Sequence, residues 1–464
     1  MKTRLPLREI EDDLSAFPGV PSEDDRKMDR GIGVKRALLI LLIASFIVNL
    51  GFSALGPVFP YLVLALKGVL RELPELTAGM IQAHQGALEF GLLMAAFMAT
   101  RAPIAVFSGF LSDLFGRKRA MILGMLLYLV STLGFILAQD VSTLIIFRAV
   151  QGAGSAMVWP VAEAYLADIT RRWQRGKALS AYVASMLIAE LLGPGIGVGV
   201  YKAWVIFFGG ADYLTALKSP IIFLAFMTLG SLSTLIFLPK ISKPSNSNNL
   251  RTGFNEVKSA LRSLPKSVSR SLKTMYFNGA VNGFGMGILQ TALIVYIIEL
   301  VVKDPTYIGI FYTVSSAAAL PASLLSGYIT DKLKRRKPTI ILGYLVGRGV
   351  FFFVPLVRNP LILLALAIPA SMTFGISVPA MRALQADLTP QEVRGSIFGI
   401  QQFFMNGGVL AGSILGGWLT QILTTQTYQI AAQQIQGIAL PFWTAGVLGI
   451  LTTILFILYV EEPR

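Results

Sequence analysis

The feature that most limits the possible folds is a series of long apolar runs separated by short polar segments. A bilayer core about 30 Å thick needs roughly 20 apolar residues per helical crossing. The 464-residue chain is 54% hydrophobic and only 14% charged, so it can supply many such crossings. We expect twelve of them, at residues 37–66, 84–108, 119–138, 141–168, 176–202, 214–238, 272–301, 306–330, 338–357, 361–386, 395–424 and 437–460. The sequence therefore predicts an all-α integral membrane protein.

A polar segment after the sixth apolar run divides the chain into two halves. It holds a Ser/Asn run at residues 245–249 and seven basic residues, and an eighth, Lys273, lies just after it. The tail at 1–35 mixes basic and acidic side chains without an apolar run, so it does not read as a cleavable signal peptide. We predict five parts, namely a cytoplasmic tail at 1–35, a six-helix half at 36–238, a cytoplasmic linker at 239–271, a second six-helix half at 272–460 and a short cytoplasmic C-terminus at 461–464.

Small and charged residues recur from one half to the other at a nearly constant offset in residue number. Gly109 and Asp113 recur as Gly327 and Asp331, with the same offset for both. A second set recurs with an offset greater by a single position, namely Asp168 as Asp387, Gly193 as Gly412 and Gly197 as Gly416. Two six-helix halves related by a parallel repeat are typical of one large class of secondary transporters.

The constant offset between the halves does not hold across the first outer loop. The interval from Gly51 to Asp113 is longer than the interval between their candidate counterparts, Gly283 and Asp331. The difference predicts an insertion in the first half, around positions 67–83.

The charge distribution predicts the orientation. The net charge is +15, from 40 basic and 25 acidic residues, and 31 of the bases fall on one side of the membrane if the N-terminus is cytoplasmic. That side then carries the whole net charge, so both termini are predicted to be cytoplasmic. The expected counter-charge is anionic lipid of the inner leaflet rather than nucleic acid. Three bases, Arg101, Arg148 and Arg348, lie within the apolar runs.

Several kinds of chemistry are disfavoured by the composition. The chain has no cysteine and one histidine, which excludes disulfides and thiolate chemistry and leaves little material for a zinc site. A phosphate-binding loop of the G-x-x-x-x-G-K-[ST] type is also absent from the sequence. We therefore expect no metal, no cofactor and no enzymatic activity.

A glycine- and arginine-rich loop between the second and third runs carries the strongest motif. Its sequence from Gly109 to Arg119, GFLSDLFGRKR, resembles the signature loop of the major facilitator superfamily, and a weaker copy lies at 327–337. The resemblance implies that family's fold, with twelve transmembrane helices in two pseudo-symmetric halves. It also implies a gating role in which Asp113 meets the start of helix eleven and Arg117 pairs with Asp168. The residues assigned to this gating loop are Gly109, Asp113, Gly116, Arg117, Asp168 and Asp331.

Two further motifs resemble those of proton-coupled members and exporters in this superfamily. The segment from Arg148 to Ala156 is similar to a motif associated with proton coupling, although Arg148 could also be a structural ion bonded to carbonyl groups. Gly193, Pro194 and Gly197 are similar to the exporters' motif in helix five, where Ala181, Ala189 and Val198 replace its other glycines. Small residues at this spacing also favour close helix packing, so a purely packing role stays open.

Buried carboxylates are the candidates for proton coupling. Glu190, in the middle of helix five, is ranked first, and Glu89 and Glu163 follow. Each could instead be a permanently paired structural group. Arg101 and Arg148 complete the set of buried charges, and in an importer of organic anions they would bind the substrate carboxylate.

Polar side chains within the apolar runs are candidates for lining a central cavity. Some of them lie four residues apart and so share a helix face. Each could alternatively make an interhelical hydrogen bond. These candidates are Asn49, Asn278, Asn282, Gln290, Gln402 and Asn406.

These features together predict a secondary transporter that works by alternating access. The resemblance to the drug/proton antiporter branch favours proton-coupled efflux of a small amphipathic or drug-like solute, by a monomer in the plasma membrane. One alternative is a proton-linked importer of a nutrient or organic anion. Another, from a different class, is a membrane receptor or assembly partner that transports nothing.

Overall fold

A computed structural model describes residues 34–170, 172–209, 212–239, 264–333, 335–389, 394–430 and 433–462. Residues 1–33 of the predicted tail and 240–263 of the predicted linker lie outside these residues, and α1 begins inside the predicted tail, at Val34.

The described residues form twelve long helices. The first half contains α1 (Val34–Leu55), α2 (Ala87–Phe115), α3 (Arg117–Leu137), α4 (Val141–Ile169), α5 (Arg172–Phe208) and α6 (Tyr213–Ile236). The second half contains α7 (Lys266–Ile288), α8 (Pro305–Leu333), α9 (Lys337–Phe353), α10 (Pro360–Asp387), α11 (Arg394–Leu423) and α12 (Ala439–Tyr459).

Shorter elements extend or connect these helices. After a turn, α1 continues as Phe59–Leu66, and a 3₁₀ helix at Ala83–Gly86 precedes α2. The end of α7 continues through two π-helical segments, Leu289–Leu293 and Ile297–Val301, on either side of Ile294–Tyr296, and α9 ends in a 3₁₀ turn at Val354–Leu356. Between α11 and α12, β1 (Thr427–Ile430) and β2 (Gln433–Gln436) form an antiparallel hairpin with Tyr428 opposite Ile435.

The predicted all-α membrane fold is confirmed. Within the described ranges, eleven helices are long and apolar enough to cross a membrane. The remaining long helix, α11, has 30 residues and carries polar side chains such as Gln402 and Asn406. Several helices extend past their apolar runs, since α5 continues to Phe208 and α7 begins at Lys266. A helix satisfies its backbone hydrogen bonds internally, so it need not end where the apolar run ends.

The outer surface of the bundle is apolar. Along α3, large side chains at intervals of three and four residues are 42–76% exposed, which forms one continuous helix face. Such a stripe is suited to contact with lipid rather than water. Its members are Leu123, Leu126, Val130, Leu133 and Leu137.

The two halves repeat in their helix interruptions. Pro103 inside α2 and Pro321 inside α8 are separated by the same offset as Asp113 and Asp331. Pro160 inside α4 and Pro379 inside α10 are separated by the same offset as the second set of repeated residues. Proline removes one helical hydrogen bond and bends the helix, so these positions mark equivalent bends. The glycine and aspartate repeat seen in the sequence thus extends to helix geometry.

Helix starts repeat in the same register. Asp140 caps α4 by accepting a hydrogen bond from the backbone N–H of Thr143 at 2.8 Å. Its counterpart in the second half, Asn359, caps α10 by accepting from the backbone N–H groups of Leu361 and Ile362. Both caps satisfy N–H groups that have no partner within the helix. The halves are therefore pseudo-symmetric, as the resemblance implied.

The connections between helices fall at two ends of the bundle. The end that carries the basic loops is called the basic end, and among the described residues it contains Gly116, Thr170, 335–336 and 388–389. The opposite end is called the far end, and its described residues are 56–86, 138–140, 209, 212, 302–304, 357–359, 424–430 and 433–438.

At the far-end side of the bundle, the two halves approach closely at a pair of equivalent contacts. In the first, α2 meets α11, where a Cβ atom at Gly91 would overlap the carbonyl of Ser413 and one at Gly417 would overlap the carbonyl of Ala87. In the second, α8 meets α5, where a Cβ atom at Gly309 would lie 2.8 Å from the side chain of Val198. In the internal repeat Gly309 is the counterpart of Gly91, and Gly417 is the counterpart of Val198, so the interface follows the repeat.

Candidate functional site

A cavity of about 410 Å³ lies against the second half of the bundle. Its walls are mostly apolar and aromatic, with a few polar groups, which is the usual composition of a small-molecule site. Most of the lining residues come from α7, α8, α9 and α10. They include Asn282, Met286, Ser315, Tyr344, Phe351, Thr373, Phe374 and Ser377.

Glu190 is the residue of the first half that lines this cavity. It lies in α5, and its side chain is exposed to the cavity space. The cation whose charge acts on it is Arg101 of α2, which stacks over the ring of Trp159 at 4.3 Å. The structure thus places a carboxylate of one half against the cavity wall of the other.

Arg348 also lines the cavity and is held by a set of polar groups. Its Nη1 donates to the carbonyl of Gly449 and to the hydroxyl of Thr453, and its Nη2 donates to Asn278 Oδ1 at 2.9 Å and Asn282 Oδ1 at 2.7 Å. The guanidinium lies over the ring of Tyr344 at 4.2 Å. Within the described ranges Arg348 makes no ion pair, so its charge is stabilised by neutral dipoles and an aromatic face.

The sequence places Arg348 inside a predicted helix, but Arg348 is not among the predicted site residues. The charge itself was the available signal, because an intramembrane arginine is costly and needs a partner or a cavity. Its partners Asn278 and Asn282 were selected as cavity residues, and only Asn282 lines the cavity. Asn278 is fully buried and holds Arg348 in place.

Arg148 is enclosed within the first half. It is 2% exposed, its Nη1 donates to Gln151 Oε1 at 2.5 Å, and its guanidinium is about 5 Å from the rings of Phe52, Phe59 and Phe97. This enclosure stabilises a buried cation by aromatic contact and leaves little room for a substrate carboxylate. A structural Arg148 was expected to bond to carbonyl groups. Its partners are instead the amide side chain of Gln151 and three aromatic rings.

The basic end holds the gating-loop residues. Arg117, which follows the positive-φ residue Gly116, has its Nε 2.5 Å from Asp168 Oδ2. This is the pair that the family resemblance implied. A second pair, Arg336 and Asp387 at 3.2 Å, lies in the corresponding part of the second half. Gly109 lies within α2, and the side chains of Asp113 and Asp331 lie outside the described residues.

The other candidate carboxylates lie apart from the cavity. Glu89 forms an ion pair with Lys67 at 2.5 Å near the far end. Glu163 in α4 is exposed, and the charge that acts on it is that of Arg382 in the other half. Neither residue lines the cavity that contains Glu190.

The remaining polar candidates are mainly engaged within their own helices. Asn49 is buried and donates to the carbonyl of Ser45 at 2.8 Å, and Gln402 donates to Asn406 at 2.9 Å. Gln290 lies in the first π-helical segment after α7. In the described part of the chain, no group of three or more His, Asp or Glu side chains could hold a metal ion.

The small residues of the exporter-like motif pack α5 against α1. A Cβ atom at Gly193 would lie 2.8 Å from the carbonyl of Leu50, and one at Gly197 would overlap the carbonyl of Ala54. Their counterparts in the second half, Gly412 and Gly416, pack α11 against α7 in the same way. Close packing therefore accounts for these glycines in both halves, which favours the packing role that the sequence left open, and a role of the motif in transport direction stays a prediction.

Comparison with known proteins places this architecture in a family. The family model of the Major Facilitator Superfamily matches residues 41–296 and 275–464. The chain belongs to the major facilitator superfamily. It is therefore a multi-pass membrane transporter, and the predicted family is confirmed.

Several members of the superfamily are similar over most of the chain. Multidrug resistance protein 2 of Bacillus subtilis is 24% identical over 394 residues, which cover 84% of this chain and 91% of that protein. Quinolone resistance protein NorA of Staphylococcus aureus is 26% identical over 305 residues, which cover 65% and 68%. The solved structure of a bacterial homolog of the human lysosomal transporter Spinster, inward-facing and unoccupied, superposes with a TM-score of 0.67 at 15% identity, covering 92% of this chain and 97% of that one.

Proposed function

We propose that this transporter exports small amphipathic compounds from the cytoplasm in exchange for protons, as a monomer in the plasma membrane. The observation that carries the proposal is the position of Glu190, a carboxylate of the first half that lines a largely apolar cavity in the second. An apolar, aromatic cavity suits amphipathic solutes. The drug-resistance names of the relatives support the same solute class.

Glu190 is the proposed coupling group because one carboxyl can hold either a proton or the positive end of a solute. The protonated carboxyl group binds no cation. Loss of its proton creates the negative charge that attracts the positive end of the solute. Competition between the two ligands at one group is sufficient to couple their movements. Because one proton exchanged for one monovalent cation moves no net charge, the pH difference drives the exchange, and each pH unit, about 1.4 kcal/mol, supports a tenfold solute gradient.

The basic end is proposed to face the cytoplasm. The chain has 31 of its 40 basic residues in segments assigned to that side. Positive charge in short loops favours the cytoplasmic face, where it also meets anionic lipid.

The test is proton-driven uptake by inside-out membrane vesicles, with ethidium as the solute. In vesicles with an acidic lumen, the unaltered protein should accumulate ethidium, whereas Glu190→Gln should not respond to the pH gradient. Glu163→Gln is the matched control, because it removes a carboxylate that does not line the cavity, and it should retain uptake. Undiminished gradient-driven uptake by Glu190→Gln would remove this residue from the coupling mechanism.

A further inference from the structure

The far end contains charged contacts that join the two halves through the inserted first loop. Lys202 at the end of α5 contacts the carboxylate of Glu75 in that loop, and its Nζ lies 3.2 Å from Asp304 Oδ2. Asp304 directly precedes α8, so it belongs to the second half. The hydroxyl of Tyr201 donates to Glu75 Oε2 at 2.8 Å. One lysine of the first half therefore bridges an acid of the loop and an acid of the second half.

In a second contact, a lysine of the second half meets the inserted loop of the first half. Lys303, from the second half, donates its Nζ to the backbone carbonyls of Thr77 and Gly79 in the loop, the latter at 3.3 Å. Gly79 has a φ of +76°, a conformation that glycine adopts readily. The loop thus presents carbonyl oxygens to a cation that lies across the interface.

A third contact joins the 3₁₀ helix before α2 to the end of the α7 extension. The backbone N–H of His84 donates to Glu299 Oε2 at 3.0 Å, and the ring Nδ1 of His84 lies 3.0 Å from Glu299 Oε1. Both side chains are largely buried, with 12% and 8% exposed. This contact again pairs one residue from each half.

The loop is also fixed to its own half. Lys67, at its start, donates to the carbonyl of Gln85 at 2.6 Å and pairs with Glu89 of α2 at 2.5 Å. Because both ends of the loop are anchored in the first half, its contact with Lys303 and its link through Lys202 to Asp304 resist separation of the halves at this end.

We propose that the inserted first loop, residues 67–82, is a latch that holds the far end closed, with Lys202 as its central cation. Alternating access requires the halves to separate at this end in part of every cycle. Partly exposed ion pairs are individually weak, which suits contacts that must break and reform. The latch depends neither on the solute carried nor on the coupling ion.

The test uses the absence of cysteine from the chain, which allows single-cysteine labelling without removal of native thiols. Ser413→Cys places a thiol at the contact between α2 and α11, where Ser413 is fully buried. In purified protein at one pH and without solute, Lys202→Met should raise the rate of maleimide modification by about twofold to fivefold, because the ion pair with Asp304, which joins the two halves, is lost. Lys202→Arg should leave the rate close to that of the Ser413→Cys parent.

Lys218→Met is the matched control. Lys218 also lies near the far end, but it donates to the carbonyls of Ile136 and Ala138 at 2.8 and 2.7 Å, within the first half. Its removal should not change the labelling rate. Equal rates in Lys202→Met and Lys218→Met would overturn the latch. If Lys202→Met does not fold, the double variant Glu75→Gln with Asp304→Asn removes the same two ion pairs and must give the same increase.

Discussion

Replacement of Gly417 by alanine tests whether the far end closes by backbone contact. A Cβ atom at this position would overlap the carbonyl of Ala87 and lie 3.2 Å from Leu88 Cα. Backbone atoms cannot turn aside as a flexible side chain can, so α2 and α11 must move apart. Overpacking of this kind costs about 1–3 kcal/mol. The cost falls on the closed form alone, because the contact is broken when the halves separate.

The matched control for this substitution is Gly407→Ala on the same helix. A Cβ atom at Gly407 would meet nothing within 4 Å. Both variants gain about 0.5–1 kcal/mol of helix stability from alanine. The difference between them therefore isolates the cost of the overlap at Gly417, and it corresponds to roughly a fivefold to 150-fold loss of the closed form relative to the open form.

Maleimide labelling of Val198→Cys measures the loss of the closed form at the other contact between the halves, where α5 meets α8. Neither substituted glycine belongs to that contact. Val198 is 5% exposed and packs against Gly309. Gly417→Ala should raise the rate of maleimide modification at least about fivefold, and Gly407→Ala should not. Melting temperatures in detergent distinguish opening from general unfolding. Equal labelling rates in the two folded variants would refute closure by close approach of α2 and α11.

Two further predictions concern stability and pH. Arg348→Met removes the arginine donor of Asn282 Oδ1 and one of the two donors of Asn278 Oδ1, so the free energy of unfolding should fall by about 1–3 kcal/mol, as a lower melting temperature in detergent would show. Although burial opposes its charge, the pKa of Asp304 is lowered by hydrogen bonds from Thr306 and by Lys202. The stabilisation that Asp304 contributes is present above the pKa of an unfolded aspartate, about 3.9, and is lost only as the pH falls through the lower folded value. The effect of Asp304→Asn on the labelling rate of Ser413→Cys measures the contribution of Asp304 to closure. This effect should therefore be constant from about pH 8 to about pH 5.

The helices and their pseudo-symmetry could be predicted because a membrane imposes simple requirements on the sequence. Apolar length determines where helices cross, and the spacing of Asp168 and Asp387 identified the repeat that Pro160 and Pro379 also follow. The resemblance of the gating loop implied the pair between Arg117 and Asp168, which lie 2.5 Å apart.

The contacts around Arg348 and Lys202 could not be predicted in the same way. The partners of Arg348 are distant in the sequence, as are Glu75 and Asp304, the two acids that Lys202 meets. Such contacts depend on how helices pack, which hydropathy does not encode. The insertion in the first loop was located by its length, but its contacts with the second half were not.

The most direct test of the proposed function is whether solute movement drives protons in the opposite direction. Purified protein is reconstituted in liposomes that contain a pH-sensitive dye, with the membrane potential held near zero by valinomycin and equal potassium. An inward gradient of ethidium should then make the lumen more alkaline, because protons leave as ethidium enters, and Glu190→Gln should abolish this change. Ethidium uptake with no change in luminal pH, or with acidification, would contradict proton-coupled exchange.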